Sequence, residues 1–235
     1  MWKFDPFLSF LQELVNHYLV GEVIIVDNNP SSRPNSDILK HEKIKLLSYG
    51  YNLYVNAAWN KAVENSKFDN LCICNDDIIF DLRVFSKALP HVTPELGIMG
   101  ISVAPWEEHI TNGLIQIKEY DPSDGQWGFS LLFFMHKTQY EPVPETLRLY
   151  FGDNFVFDNC VWRGLPIKVI KDVWFYTPTG GGTTVSQLPT SENINLNVED
   201  ALAYRDLLIS KGITNPYSWS ISIKMILEKY APQLL

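Results

Sequence analysis

The sequence predicts an α/β domain, a mixed, mostly parallel sheet with helices packed on both faces. Two observations point to it. Short apolar runs alternate with stretches whose apolar residues recur at helical spacing, and each run is almost continuously apolar, as a strand covered on both faces must be. With 235 residues, 46% of them hydrophobic, the chain is long enough for one large core.

The elements follow in order. "FLSFLQELVNHYLV", residues 7–20, carries apolar residues at 7, 11, 14, 15 and 18, a helical face that Gly21 is expected to end. "EVIIVDNNP" reads as a buried strand stopped by Asp27, Asn28, Asn29 and Pro30. A polar loop, "SSRPNSD", leads to a second strand, "KIKLLS". Leu53 to Asn65 makes a helix whose stripe is Val55, Ala58, Trp59, Ala62 and Val63. "NLCICN" is the third strand, with a short helix after it from Leu82 to Leu89. "LGIMGISVAP" and "GFSLLFFMH" supply two more strands, and "DNFVFDNCVWRG" a helix with Gly164 just past its end. "PIKVIKDVWFY" is a late strand and "TPTGGGTT" a loop, before helices at about Val198–Lys211 and Trp219–Tyr230.

Charge and composition narrow the function. The formal charge of −8 argues against a nucleic-acid partner, which calls for a basic stripe. No apolar run is long enough to span a bilayer, and the first residues do not form a basic segment followed by an apolar one. The expectation is a soluble, cytoplasmic protein, in the host cytoplasm if it is viral. Three cysteines suggest neither a disulfide framework nor zinc. Cys72 and Cys74 stand two apart, not at knuckle spacing, and read as small buried side chains.

Two strands end in acid-amide clusters, "IIVDNN" and "CICNDD". In open α/β sheets ligands bind outside the carboxyl ends of the strands. If these strands are neighbours, Asp27, Asn75, Asp76 and Asp77 share one crevice. Adjacent carboxylates repel unless one is protonated or a cation joins them, and hard oxygen ligands select Mg²⁺ or Mn²⁺. The competing reading is a turn with a helix cap from Asp77 or Asp81. Asn52, Asn56 and Asn60 stand four apart along one helix edge, and amides suit a base, ribose or phosphate. For Asn60 a solvated face is the better expectation. In "RLYFGDNFVFDN", Asp153 begins a helix after a glycine turn. It is expected to be ionised there, as a general base or a cap, while Asp158 reads as a surface or capping residue.

The ordered set "VIIVDNN", "NLYVNAAWNKA", "CICNDDIIFD", "FGDNF" and "VWFYTPTGGGTT" resembles the family 2 glycosyltransferases of the GT-A fold over roughly the first three quarters of the chain. The resemblance implies one domain over 1–235, with a nucleotide-binding half at about 1–105, an acceptor half at about 106–190 and C-terminal helices at about 191–235. It implies a base or ribose contact at Asp27, with Asn28 beside it. Asn75, Asp76 and Asp77 would stand in place of the family's DxD motif, Asp77 on a Mn²⁺ or Mg²⁺ ion and Asp76 a second contact. Asp153 would be the catalytic base, although a slip of one position would put Asn154 there. The implied reaction is inverting transfer from a nucleotide-diphosphate sugar donor to a hydroxyl on a glycan or glycoprotein acceptor. Trp127, and less so Trp106, are candidates for stacking on a sugar. Gly180 to Thr184 would wrap phosphate or form a plain loop.

Two departures from that family stand out. Its members open with an apolar strand at the centre of the sheet, and "MWKFDPF" begins where that strand would already have ended. Either the reading frame starts upstream or another segment fills the gap; direct pairing of "EVIIVD" with "NLCICN" would refute both. The histidine that many relatives place after the last strand as a metal ligand is replaced by "YTPTGGGTT". Two other readings stand beside the enzyme: a catalytically silent GT-A-like domain that binds carbohydrate or a partner, and a sugar nucleotidyltransferase, for which the usual Gly-rich basic loop is missing.

Overall fold

The computed structural model describes residues 2–101, 113–122, 127–178 and 190–235. In chain order its elements are α1 (Phe7–Asn16), β1 (Val23–Asp27), β2 (Ile44–Ser48), α2 (Tyr54–Asn65), β3 (Asn70–Cys74), β4 (Ile79–Phe80), α3 (Arg83–Ala88), β5 (Ile98–Ile101), β6 (Gln116–Glu119), β7 (Leu132–His136), α4 (Gly152–Trp162), β8 (Ile167–Lys171), β9 (Phe175–Tyr176), α5 (Thr190–Ser210), α6 (Pro216–Trp219) and α7 (Ile221–Tyr230).

The central sheet has five strands in the order β3-β7-β5-β8-β6, flanked by a parallel β1-β2 pair and a small antiparallel β4-β9 pair. The expected mixed sheet is found, but the expectation that it is mostly parallel is corrected. Within the five strands only β5 and β8 pair in parallel, and β7 opposes both β3 and β5 while β6 opposes β8. The reason for the misreading lies in β7. Helices cover both of its faces, so "LFFMH" is continuously apolar just as a parallel strand is. Alternate side chains go to opposite cores: Phe133 and Met135 join Trp59, Phe155 and Leu208, whereas Leu132 and Phe134 join Phe10, Phe80 and Val84.

Other boundaries also moved. Helix α1 stops at Asn16 rather than Gly21, because His17 turns extended (ψ 130) and its Nδ1 accepts the Leu19 N–H at 3.3 Å. Helix α5 begins at Thr190, ahead of the expected Val198. Its polar first turns have little intrinsic reason to be helical. Tertiary bonds hold them instead, from Tyr54 Oη to Glu192 Oε1 at 2.8 Å and from Tyr150 Oη to Asn193 Oδ1. Strand β6, "QIKE", was invisible because it is an edge strand with little buried surface. No helix among the described residues is long and apolar enough to cross a membrane.

Strands β1 and β3 do not pair. Their N-terminal ends nevertheless lie together, Lys67 N–H donating to Glu22 Oε2 at 3.1 Å, and the residues that follow them, Asn28 and Asn75, line one space, so the two strands end on the same side.

Candidate functional site

At that side lies a cleft of about 1440 Å³ whose walls include Asn28, Asn52, Asn56, Asn75, Asp76, Asp77, Asp153 and Asn154. Helix α2 and the start of α4 thus join the ends of β1 and β3 around one space, at the carboxyl edge where α/β sheets bind ligands.

Asp27 stands behind the wall. Its carboxylate, 1% exposed, accepts Arg33 Nε at 2.6 Å, Trp2 Nε1 at 2.8 Å and the Asn29 N–H at 3.0 Å. Arg33 neutralises it, so its first task is to shape the turn after β1. Asn28 continues that turn, accepting the Leu53 N–H on Oδ1 at 2.9 Å and donating to the Tyr54 carbonyl at 3.3 Å. Asn52 accepts the Tyr54 N–H at 2.8 Å, an Asx turn that opens α2 where Tyr54 has φ +59°.

The amides of α2 do not form one ligand-facing ladder. Asn56 is buried and donates from Nδ2 to the carbonyls of Leu147 and Tyr150, each at 3.1 Å. Asn60 is corrected from a solvated side chain to an anchor. It donates to the Val143 carbonyl at 2.8 Å and accepts the Val143 N–H and the Tyr140 hydroxyl at 2.9 and 2.8 Å. Both hold the segment that runs into α4.

Asp76 and Asp77 sit in the turn between β3 and β4, Asp76 half-buried and Asp77 only 2% exposed. Strand β4 separates Asp77 from α3, and it is Asp81 that accepts the Arg83 N–H at 2.9 Å at the start of that helix. Asp77 is therefore not the cap of α3. The charges of both aspartates reach Cys74, whose thiol is pushed up to about 12, by burial first and then by Asp76 and Asp77. Cys72 and Cys74 are half-buried rather than fully buried.

Asp153 lies in the first turn of α4, behind Phe151 in the left-handed region at φ 60° and Gly152. Burial raises its carboxyl above the usual range, while the N–H groups of Asn154 and of Asp153 itself pull it back. The helix terminus alone had argued for full ionisation; desolvation opposes it and brings the group nearer the pH at which a base works.

Two acids that hold this segment escaped the sequence reading in different ways. Asp200, fully buried on α5, accepts the N–H groups of Arg148, Leu149 and Tyr150 on Oδ2 at 3.1, 2.7 and 2.8 Å. Its signal was its place on the buried stripe Leu196, Asp200, Ala201, Tyr204, Leu208, where an acid requires partners. Asp158 is corrected from a surface residue. It is 4% exposed, accepting Trp219 Nε1 at 2.8 Å and the Tyr204 hydroxyl. Burial pushes it up to about 6, with those two hydrogen bonds lowering it and Asp153 raising it.

A divalent ion is implied by the resemblance. Among the described residues no group of three or more His, Cys, Asp or Glu converges as a ligand set. The donor chemistry of Asp76 and Asp77 still fits Mg²⁺ or Mn²⁺, which are commonly held by one or two carboxylates, with waters and substrate phosphates supplying the rest. The Trp127 side chain, Trp106 and Gly180–Thr184 lie outside what the structure describes; Thr177 and Pro178, just before that loop, line the cleft.

A mixed, helix-covered sheet with acid-amide turns at the ends of β1 and β3 defines a GT-A-like fold. Among solved structures, the chain is similar to Staphylococcus aureus TarS (residues 1–349), a glycosyltransferase, with a TM-score of 0.57 at 12% identity, covering 94% of this chain and 73% of that one. It is also similar to GalNAc-T7 with UDP, GalNAc and Mn²⁺, with a TM-score of 0.48 at 12% identity, covering 92% of this chain and 51% of that one. No family model and no curated protein matches the chain. The likeness to TarS supports the GT-A-like fold that the sequence resemblance implied, with a sheet that is mixed.

Proposed function

We propose that the chain is a metal-dependent, inverting glycosyltransferase that moves a sugar from a nucleotide-diphosphate donor to an acceptor hydroxyl on a glycan or glycoprotein. One observation carries this reading: Asp76 and Asp77 from the β3 turn and Asp153 from α4 line the same cleft. One acidic pair is available for the donor's diphosphate, and a separate acid with a raised carboxyl is available for the acceptor.

The donor's nucleotide lies against the amide-lined wall of Asn28, Asn52 and Asn75. Asp27 fixes that wall through Arg33 and reaches the nucleotide only by giving up part of its present set of bonds. Asp76 and Asp77 would hold a Mg²⁺ or Mn²⁺ ion, which would supply Lewis acidity at the donor's diphosphate. Asp153 accepts the proton of the acceptor hydroxyl as that oxygen attacks the anomeric carbon from the face opposite the leaving group. Asn56 and Asp200 hold the segment in front of Asp153, so the base is presented by a braced loop.

The test is calorimetric binding of a panel of nucleoside diphosphates with and without Mn²⁺, followed by donor hydrolysis. Binding that needs Mn²⁺, and that Asp77→Ala loses by at least about a hundredfold, is the expected result. Metal-independent binding, or none with any base, sinks the reading and favours the silent GT-A-like domain.

A further inference from the structure

The charge on the cleft wall is one-sided. Every one of the 19 lysines and arginines lies among the described residues, and none of them lines the wall. No described histidine does either, whereas Glu22, Asp69, Asp76, Asp77 and Asp153 all do. Basic side chains close to the cleft in sequence, or on the helices beside it, are engaged elsewhere. Arg33 meets Asp27 at 2.6 Å, Arg148 meets Glu199, and Lys229 sits over the Tyr230 ring at 4.8 Å. A divalent ion at Asp76 and Asp77 would be balanced by those carboxylates and the donor's diphosphate, which leaves no positive charge for a second anion. Inside a cleft such an imbalance is poorly screened.

Around Asp153 the wall is polar but neutral. Tyr150 and Asn154 stand on either side of it in sequence, and Asn197 of α5 with Ser222 and Ile226 of α7 line the same cleft. Their contacts bring these elements together. The Tyr150 hydroxyl donates to Asn193 Oδ1, one helical turn ahead of Asn197. Burial first, then Asp200 and Tyr230, raise that hydroxyl above its ordinary value. Tyr230 belongs to the α7 row Ser222, Ile226, Tyr230, spaced four apart and so on one helix face. Helices α5 and α7 therefore wall the side of the cleft that Tyr150 shares with the base. Asn197 Oδ1 is buried without a hydrogen-bond partner, so turning it toward a ligand breaks no bond that this oxygen makes. Amides and a hydroxyl both donate and accept, as sugar hydroxyls require. Tyr150 and Ile226 add apolar surface for the C–H face of a sugar ring.

We propose that the acceptor is an uncharged saccharide whose hydroxyls meet Asn154, Asn197 and Ser222 beside Asp153, and that the cleft excludes sugars carrying carboxylate, sulfate or phosphate next to the reacting hydroxyl. The role of acceptor rests on the glycosyltransferase reading; the seat itself rests on the charge and chemistry of the wall.

The test is saturation-transfer NMR on the metal-free protein, with the methyl glycosides of glucose, galactose, N-acetylglucosamine and N-acetylgalactosamine beside methyl glucuronide and methyl galacturonide. At least one neutral glycoside should bind, and its uronide counterpart at least about tenfold more weakly at low salt, with the gap narrowing as salt screens the wall. Asn197→Ala should weaken the neutral sugar by about threefold or more. Ser222 is exposed, so Ser222→Lys can supply the missing cation there and should bring the uronide within about threefold of the neutral sugar. A uronide that binds wild type as well as its neutral counterpart overturns the proposal, as does a panel in which no neutral glycoside binds. Binding that neither variant alters overturns it too, because the sugar then sits elsewhere. Nucleoside diphosphates are titrated separately. Glycosides bound at this seat with no nucleotide bound would sink the transferase reading and leave the seat standing, whereas Mn²⁺-dependent nucleotide binding beside a preference for uronides would do the reverse.

Discussion

Asn56 and Gly152 touch so closely that a methyl group on Gly152 would sit 2.0 Å from Asn56 Oδ1. That oxygen is buried without a hydrogen-bond partner, while the same amide's nitrogen holds the carbonyls of Leu147 and Tyr150. The glycine of "FGDNF" is therefore set by the side chain across from it, not by its own dihedral angles, which are helical.

Gly152→Ala is accordingly expected to destabilise the protein by about 1–3 kcal/mol, the usual cost of forcing atoms into a filled site. Asn56→Ala should cost a similar amount by leaving two carbonyls without a donor. Because the alanine at position 56 makes the room that the alanine at 152 needs, the double variant should cost less than the sum of the two. Urea denaturation of all four proteins measures the coupling; strict additivity would mean that the contact does not constrain the loop.

Asp153→Asn should lower turnover by at least about a hundredfold, the usual contribution of a positioned base, and leave nucleoside-diphosphate affinity within about threefold of wild type. A base acts deprotonated, so wild-type turnover should fall as pH drops through the carboxyl's value, which burial places above the ordinary range. The asparagine variant should lose that acid limb. Equal loss of nucleotide affinity and turnover would reassign Asp153 to donor binding.

Asp200→Asn isolates positioning from folding. The carboxylate gathers three N–H groups from Arg148 to Tyr150 on Oδ2; an amide keeps an acceptor oxygen there but loses the negative charge and turns Oδ1, which also accepts the Arg148 N–H at 3.2 Å, into a donor facing it. Turnover should fall at least tenfold while Mn²⁺-dependent nucleotide binding, which uses the β3 turn, holds. If Asp200→Asn instead weakens both in proportion to lost stability, the loop bonds serve folding alone.

The elements legible in the sequence were those whose own side chains define them. Strands β1, β2, β3, β5 and β8 came from apolar runs, α2 from its stripe, and the end of α4 from Gly164 at φ +64°. What could not be read depends on partners distant in the chain. The direction of β7 is set by its neighbours, the first turns of α5 by Tyr54 and Tyr150, and the brace on the base by Asp200, about fifty residues downstream of the segment it holds. The cleft was legible as a convergence of strand ends, yet Asn56 and Asn60 were not legible as braces. An amide on a helix edge looks the same from the sequence whether it faces a ligand, water or a loop.

Asp158 supplies a stability prediction with a defined sign. Its folded value, about 6, lies above the ordinary carboxylate range, so the native state holds this proton more tightly than the unfolded chain does. Where the unfolded chain has already lost the proton and the native state has not, stability falls as pH rises. The window runs from about pH 4 to about pH 6, and the loss is about 3 kcal/mol at most. Above it, the native protein carries a buried charge that the Tyr204 and Trp219 donors only partly offset. Asp158→Asn keeps an acceptor oxygen for both donors and carries no charge. The variant should therefore melt close to wild type near pH 4 and several degrees above it near pH 8. A variant that melts lower at both values would show that the second carboxylate oxygen, not the charge, governs how α4 is held to α5 and α6.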